Sequence, residues 1–201
     1  MSSQIQALQS DRADISWSAM TPTPEREEAI NMVPYIASSS APIVQEGNPQ
    51  NIQQAQDLCG KSVGIVRGGN SHVALEAFQE DVCSSEGLPA VEAKLYEKSA
   101  DGLLQVQSGQ TDAFVGIGIQ LKHVAETANG GTTFDFVDSA IDSSVMTIGT
   151  PKDDTEMAEF MREALFSLMD SGEYEEILKQ YGGENDVLTK EQVVINPTTN
   201  A

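Results

Sequence analysis

Trp17-Ser-Ala-Met-Thr-Pro-Thr-Pro-Glu-Arg26 is the stretch whose reading decides the fold. A buried strand is expected over residues 13–17, running into the small and hydroxyl residues Ser18, Ala19 and Thr21. Pro22 and Pro24 then stop any ladder, because proline has no N–H to donate. Thr23 reads as the N-cap of a helix and Pro24 as its first residue, a position where proline's fixed φ is already helical. Arg26 therefore projects from a first helical turn, next to a strand end rich in hydroxyls. A guanidinium fork beside free backbone donors suits a carboxylate, held through two parallel hydrogen bonds.

Upstream, Ile5 and Leu8 stand three apart on a helix that ends near Ser10. The phrase Leu8-Gln-Ser, a short turn, Asp14 and a strand returns as Val106-Gln-Ser, a short turn, Asp112 and a strand. One helix–turn–strand unit used twice argues for two similar lobes. Downstream, helix is expected over 25–31 and a break at Met32-Val-Pro-Tyr35. Residues 41–45 form a short strand, which Pro42 assigns to an edge or a strand start. Glu46-Gly-Asn-Pro-Gln50 reads as a linker, and a lobe boundary is set there.

The second lobe opens with a short helix over 52–58 and a strand over 61–66. Arg67-Gly-Gly-Asn-Ser71 is a tight turn into a helix over 73–83. Its glycines let backbone N–H groups approach a guest, and the helix start favours an anion. Gly60-Lys-Ser is not a phosphate loop, since it precedes its strand and lacks the upstream glycine. Strands over 90–97, 111–116, 134–137 and 145–149 alternate with helices over 100–108 and 119–127. Met157, Met161, Ala164, Leu165 and Leu168 give a core-facing stripe, and a last helix covers 174–181. The polar tail beyond Gly182 is expected to be loosely ordered. Strands alternating with helices imply parallel sheets in an α/β fold, with ligands outside the strand carboxyl ends.

Composition excludes several function classes. Eleven Lys and Arg stand against 31 Asp and Glu, a net charge of −20, which argues against nucleic acid and anionic membrane surfaces. No apolar run approaches a membrane span. His72 and His123 stand apart and no CxxC occurs, so no metal site is expected. Cys59 and Cys83 are the whole cysteine set; spacing alone leaves buried thiols and a pair equally open.

Asp14-Ile-Ser-Trp-Ser-Ala-Met-Thr-Pro-Thr-Pro-Glu-Arg26 with Pro34-Tyr35 resembles the signature of the polar amino-acid (family 3) extracellular solute-binding proteins of ABC transporters. Asp57-Leu-Cys-Gly-Lys-Ser-Val-Gly-Ile-Val66, Ser108-Gly-Gln-Thr-Asp-Ala113 and Asp170-Ser-Gly-Glu-Tyr-Glu-Glu-Ile-Leu178 resemble later motifs of that family. The resemblance implies a type II periplasmic-binding-protein fold of two α/β lobes with a hinge. Lobe 1 is then 1–48 plus 143–201 and lobe 2 is 49–142. It implies a solute held in the interlobe cleft, with Arg26 on its carboxylate and Ser18, Ala19 and Thr21 lining the lobe 1 wall. Arg67, Gly69, Asn70, Ser71, Gly116 and Ile117 would complete the site. It further implies a Cys59–Cys83 disulfide, ABC permease subunits as partners, no cofactor and no catalysis. The location implied is extracytoplasmic, with a lipid anchor in the full-length protein.

Two departures from the pattern stand out. Family members begin with a strand–helix–strand unit of roughly thirty or more residues ahead of the helix at Gln4, so lobe 1 is expected to be truncated. Amino-acid binders place an Asp where this chain has Ile117, so the usual partner of a solute ammonium is missing. The alternatives are an enzyme of the same fold, such as a cyclohexadienyl or arogenate dehydratase, and a ligand-sensing domain. The former needs a general acid in the cleft. The cleft turns offer only Glu25 and Asp142, better explained as helix-start and hinge residues.

Overall fold

Local capping sets the element that matters most. In the computed structural model, which describes residues 3–200, Thr23 has extended backbone and its hydroxyl accepts from Arg26 N at 3.2 Å. Pro24 opens helix α2 (Pro24–Ala29), as its fixed φ favours. The chain divides into two units, one holding residues up to Ser38 and from Ser144 onward, the other Ser39–Ser143. The boundary expected near Asn48 is therefore corrected to Ser38/Ser39. The strand after it, β3 (Ser40–Gln45), belongs to the second unit's sheet by its hydrogen bonds.

The first unit is built on a three-stranded sheet. Its strands are β1 (Ser16–Met20), β2 (Ile30–Ser38) and β8 (Ser144–Pro151), with β8 in the middle and both neighbours antiparallel to it. This corrects the expectation of parallel sheets throughout. It also corrects the reading of Met32-Val-Pro-Tyr35 as a break, because Pro34 lies inside β2. The ladder tolerates it for a tertiary reason: β2 is a sheet edge, and its register shifts between Pro34 and Ile36. Strand β1 begins at Ser16 rather than at residue 13, and Trp17 is 57% exposed rather than buried.

Both faces of this sheet are covered. Ile30 and Met32 meet Ile5 and Leu8 of helix α1 (Ser3–Gln9) on one side. Val33 and Ile148 meet Ala158, Leu165 and Tyr174 on the other, from helices α6 (Thr155–Ser171) and α7 (Glu173–Gln180). The expected Met161–Leu165–Leu168 stripe packs into that second core. Tyr174 ties it together, donating to Tyr35 O and accepting from Leu188 N, each at 3.0 Å.

The tail is ordered, which corrects the expectation of a loose end. Asn196 is buried, its side-chain oxygen accepts from Met32 N at 2.9 Å, and its own N–H donates to Met32 O at 2.9 Å. It thereby covers the β2 edge, whose groups would otherwise lack partners. The buried Glu27 carboxylate accepts from Thr198 N at 2.9 Å and from the Thr199 hydroxyl at 2.8 Å.

The second unit carries a five-stranded sheet. After β3 come β4 (Ser62–Val66), β5 (Glu92–Tyr96), β6 (Ala113–Ile117) and β7 (Phe134–Phe136), in the spatial order β5-β4-β6-β3-β7. Strand β4 is parallel to β5 and β6, whereas β3 is antiparallel to β6 and β7. Pro42 thus sits in an interior strand, not an edge. Its carbonyl accepts from Val137 N at 3.0 Å, and the β7 pairing starts only at Ile43. The Val137 carbonyl opposite Pro42 accepts from Ser139 N at 2.8 Å instead, so the donor that proline lacks leaves that acceptor paired.

Alternate residues of β3 and β6 feed opposite cores. Val44, Ala113 and Val115 pack with Leu75 and Phe78 of helix α3 (Asn70–Phe78), and with Cys83. Ile43 and Phe114 pack with Val106 of α4 (Ser99–Gln107) and with Leu121 and Ala125 of α5 (Gly118–Thr127). This unit is the α/β layer arrangement with helices on both faces. Cys59 and Cys83 are joined in a disulfide with Cα atoms 5.6 Å apart, as the resemblance implied.

Candidate functional site

On the first unit, β1 delivers the polar residues and α2 delivers the charge. The β1 register slips between Trp17 and Met20, so Ser18 and Ala19 bulge out of the ladder. Bulges of this kind re-aim side chains and end pairing. Arg26 then folds back on the strand end: its Nη1 donates to Thr21 O at 2.7 Å and to Thr21 Oγ1 at 3.3 Å. Ser18 does not join that group through a hydrogen bond of its own; its hydroxyl donates to Gln4 Oε1 on α1 at 3.2 Å. Ala19 is exposed.

Trp17 and Tyr35 form an edge-to-face pair with centroids 5.6 Å apart, an arrangement aromatic rings favour. Burial raises the Tyr35 phenol above its ordinary pKa, partly offset by a hydrogen bond from Trp17. Their pairing depends on β2, a strand the sequence reading did not find.

The chain has four arginines, and Arg26 is the half-buried one without a carboxylate. Arg67 pairs with Glu97 at 3.2 Å and Arg162 with Glu159 at 2.5 Å, while Arg12 is exposed. Among the described residues Arg26 makes hydrogen bonds only to neutral oxygens. In a chain with 31 acids, that leaves a partly desolvated cation open to an outside anion.

On the second unit, the carboxyl ends of β4, β5 and β6 meet the starts of α3, α4 and α5. A cavity of about 200 Å³ lies there, lined by Val66, Gly69, Asn70, Ser71, Ser99, Phe114, Val115, Gly116, Ile117 and Gln120. Five residues expected from sequence, Gly69, Asn70, Ser71, Gly116 and Ile117, are therefore brought together. Arg67 is not: its side chain lies in the exposed pair with Glu97. Gly68, not Gly69, needs the left-handed backbone of the turn, with φ of 68°.

Ser99, Phe114 and Gln120 were missed by sequence reasoning. Ser99 had a usable signal, because it opens the helix after β5, where the rule for parallel sheets places ligands. Ser71 is held from behind. The Ser40 hydroxyl donates to Ser71 Oγ at 2.9 Å, and Ser40 N donates to Asp142 Oδ1 at 2.5 Å. A larger depression of about 660 Å³ along the outer side of α3, lined by His72, Glu76, Val91 and Ala93 among others, shares none of the residues expected from sequence.

The chain matches the family described as bacterial extracellular solute-binding proteins, family 3, over residues 1–184. It is 27% identical over 184 residues to the L-arginine-binding protein of Pseudomonas aeruginosa, covering 88% of this chain and 68% of that one. Among solved structures it is similar to an ancestral arginine-binding protein bound to arginine, at 28% identity and a TM-score of 0.63, covering 88% of this chain and 75% of that one. It is also similar to an ancestral arginine-binding protein bound to glutamine, at 28% identity and a TM-score of 0.64, covering 90% of this chain and 76% of that one. Among the described residues no helix is long and apolar enough to cross a membrane. With the family model spanning most of the chain and both units arranged as α/β layers of the type II kind, this chain belongs to the bacterial extracellular solute-binding proteins, family 3.

Proposed function

We propose that the chain is the solute-binding component of an ABC importer and takes a small carboxylate-bearing solute, an amino acid or an analogue. Arg26 on the first unit is the carboxylate partner, beside Thr21, Ala19 and the bulged Ser18. On the second unit, the cavity at Gly69–Ser71, Gly116 and Ile117 is the candidate solute contact. The observation that carries this reading is Arg26 itself: a half-buried guanidinium, placed by the Thr23 cap, with only neutral partners among the described residues. The names of the relatives, arginine-binding proteins and not enzymes, support a binding role. The cavity offers no titratable side chain for acid–base chemistry, which counts against the dehydratase alternative. The Cys59–Cys83 disulfide supports an extracytoplasmic location, where such bonds persist, and permease subunits are the proposed protein partners.

Titration calorimetry with a panel of L-amino acids, keto acids and simple carboxylates tests the reading. Binding by at least one carboxylate, lost in Arg26→Ala, is the expected result. No carboxylate binding at all, or unchanged affinity in the variant, would overturn it.

A further inference from the structure

Helix α2, which carries Arg26, is too short to hold its own place. It has six residues, fewer than two turns, and isolated helices of that length are marginal in water. The hydrogen bonds of Arg26 do not anchor it, because Thr21 is only five residues back and can travel with the helix. The Thr23 cap fixes the helix start. A second restraint comes from 171 and 172 residues further along the chain. Glu27, the next residue after Arg26, is buried, and its two carboxylate oxygens are engaged separately. One accepts from Thr198 N at 2.9 Å, the other from the Thr199 hydroxyl at 2.8 Å. Residues 196–200 form a closed turn that presents these donors. Asn196 has left-handed backbone, with φ of 56°, and its carbonyl accepts from Thr199 N at 3.2 Å and from Asn200 N at 3.0 Å. The paired bonds between Asn196 and Met32 fasten that turn to β2. These residues lie beyond the span of the family match, which covers residues 1–184.

We infer that residues 196–199 are a strap that positions Arg26 by holding Glu27. Consecutive residues on one helical turn cannot move independently, so fixing the Glu27 carboxylate fixes the direction in which the guanidinium leaves α2. Breaking the strap leaves buried polar groups without partners, which restricts α2 to one placement. Glu27 and Thr199 are then positioning residues that act through Arg26. The role assigned to Arg26 rests on the solute-binding reading above, but its placement can be measured without any solute.

Phenylglyoxal adds to accessible guanidinium groups, and peptide mass spectrometry gives a rate for each arginine of the full chain. Arg162 is also half-buried and lies in the same unit, on α6, so it reports general loosening. Thr199→Val removes the hydroxyl donor and keeps the side chain's shape, whereas Thr199→Ser keeps the donor. In Thr199→Val the rate at Arg26 is expected to rise about fivefold, with Arg162 unchanged. Thr199→Ser should match the natural chain at both arginines. Glu27→Ala should free Arg26 in the same way. Glu27→Gln should restore it, because the amide still accepts from Thr198 N and can donate to the Thr199 oxygen. Equal acceleration of Arg26 and Arg162 would show a tail that merely stabilises the unit, and would overturn the inference. So would an unchanged Arg26 rate in both folded Thr199→Val and folded Glu27→Ala. Solute plays no part in this readout. A chain that binds no carboxylate would therefore sink the solute-binding reading, while the rates still decide the strap.

Discussion

At the scale of single residues, Arg26 and Glu27 are neighbours with opposite duties. Arg26 spends its hydrogen bonds on Thr21 and keeps its charge available, so Arg26→Ala should remove solute binding and leave the fold intact. Loss of a desolvated charge partner costs about 2–5 kcal/mol in affinity, and Arg26→Lys should recover little because an ammonium lacks the fork. Calorimetry with the tightest-binding carboxylate, alongside an unchanged thermal midpoint, checks it. Glu27 is the structural one: its carboxylate is buried and holds Thr198 N and the Thr199 hydroxyl. Glu27→Ala should cost about 1–3 kcal/mol by leaving those donors without partners. Amide exchange at Thr198 should accelerate first; unchanged protection there would refute the role. Of this pair, only Arg26 was legible in the sequence, because its placement is set three residues away by Thr23. The partner of Glu27 lies at the far end of the chain.

At the scale of elements, helix α4 shows packing overriding propensity. Gly102 lies inside it, where Ala would ordinarily gain about 0.5–1 kcal/mol. A Cβ at Gly102 would meet the Phe114 ring at 2.4 and 2.5 Å. Phe114 is fully buried and cannot yield cheaply, and overpacking of this kind costs about 1–3 kcal/mol. Gly102→Ala is therefore expected to destabilise the second unit in urea titration despite the better helix former. A stabilised variant would mean the ring moves freely. The two prolines that sit within strands make the same point. Pro34 lies on the edge strand β2 and Pro42 beyond the end of β7, both positions that only the sheet order defines.

At the scale of the whole molecule, two levers act on different units. The Cys59–Cys83 bridge closes a loop with a sequence separation of 24 in the second unit. In the chain-entropy model such a loop is worth about 3–4 kcal/mol, so Cys59→Ser with Cys83→Ser should lower that unit's stability and spare the first. Hydrogen exchange resolved by peptide distinguishes the two; equal losses in both would contradict it. The first unit should respond to alkaline pH. Burial raises the Tyr174 phenol, opposed by the hydrogen bond from Leu188 N and reinforced by Asp186. Because the folded value lies above the unfolded one, the stabilisation is complete below about pH 10 and fades as pH rises through the folded value. Urea midpoints across that range should fall less steeply for Tyr174→Phe than for the natural chain.

The sequence by itself determined what short-range chemistry controls. It set the Thr23–Pro24 helix start, the position of Arg26, the turn at Arg67–Ser71, the core stripe of α6 and the α/β class. Tertiary structure decided what depends on distant partners. The direction of the first unit's strands follows from the antiparallel placement of β8 between β1 and β2. The assignment of β3 to the second unit follows from its hydrogen bonds to β6 and β7, not from the glycine and proline that come after it. Trp17 finds its ring partner in Tyr35 of another strand, and the order of the tail depends on Met32 and Glu27. Ser99 and Gln120 join the cavity because three strand ends converge, and convergence is a property of the sheet that no window of sequence contains.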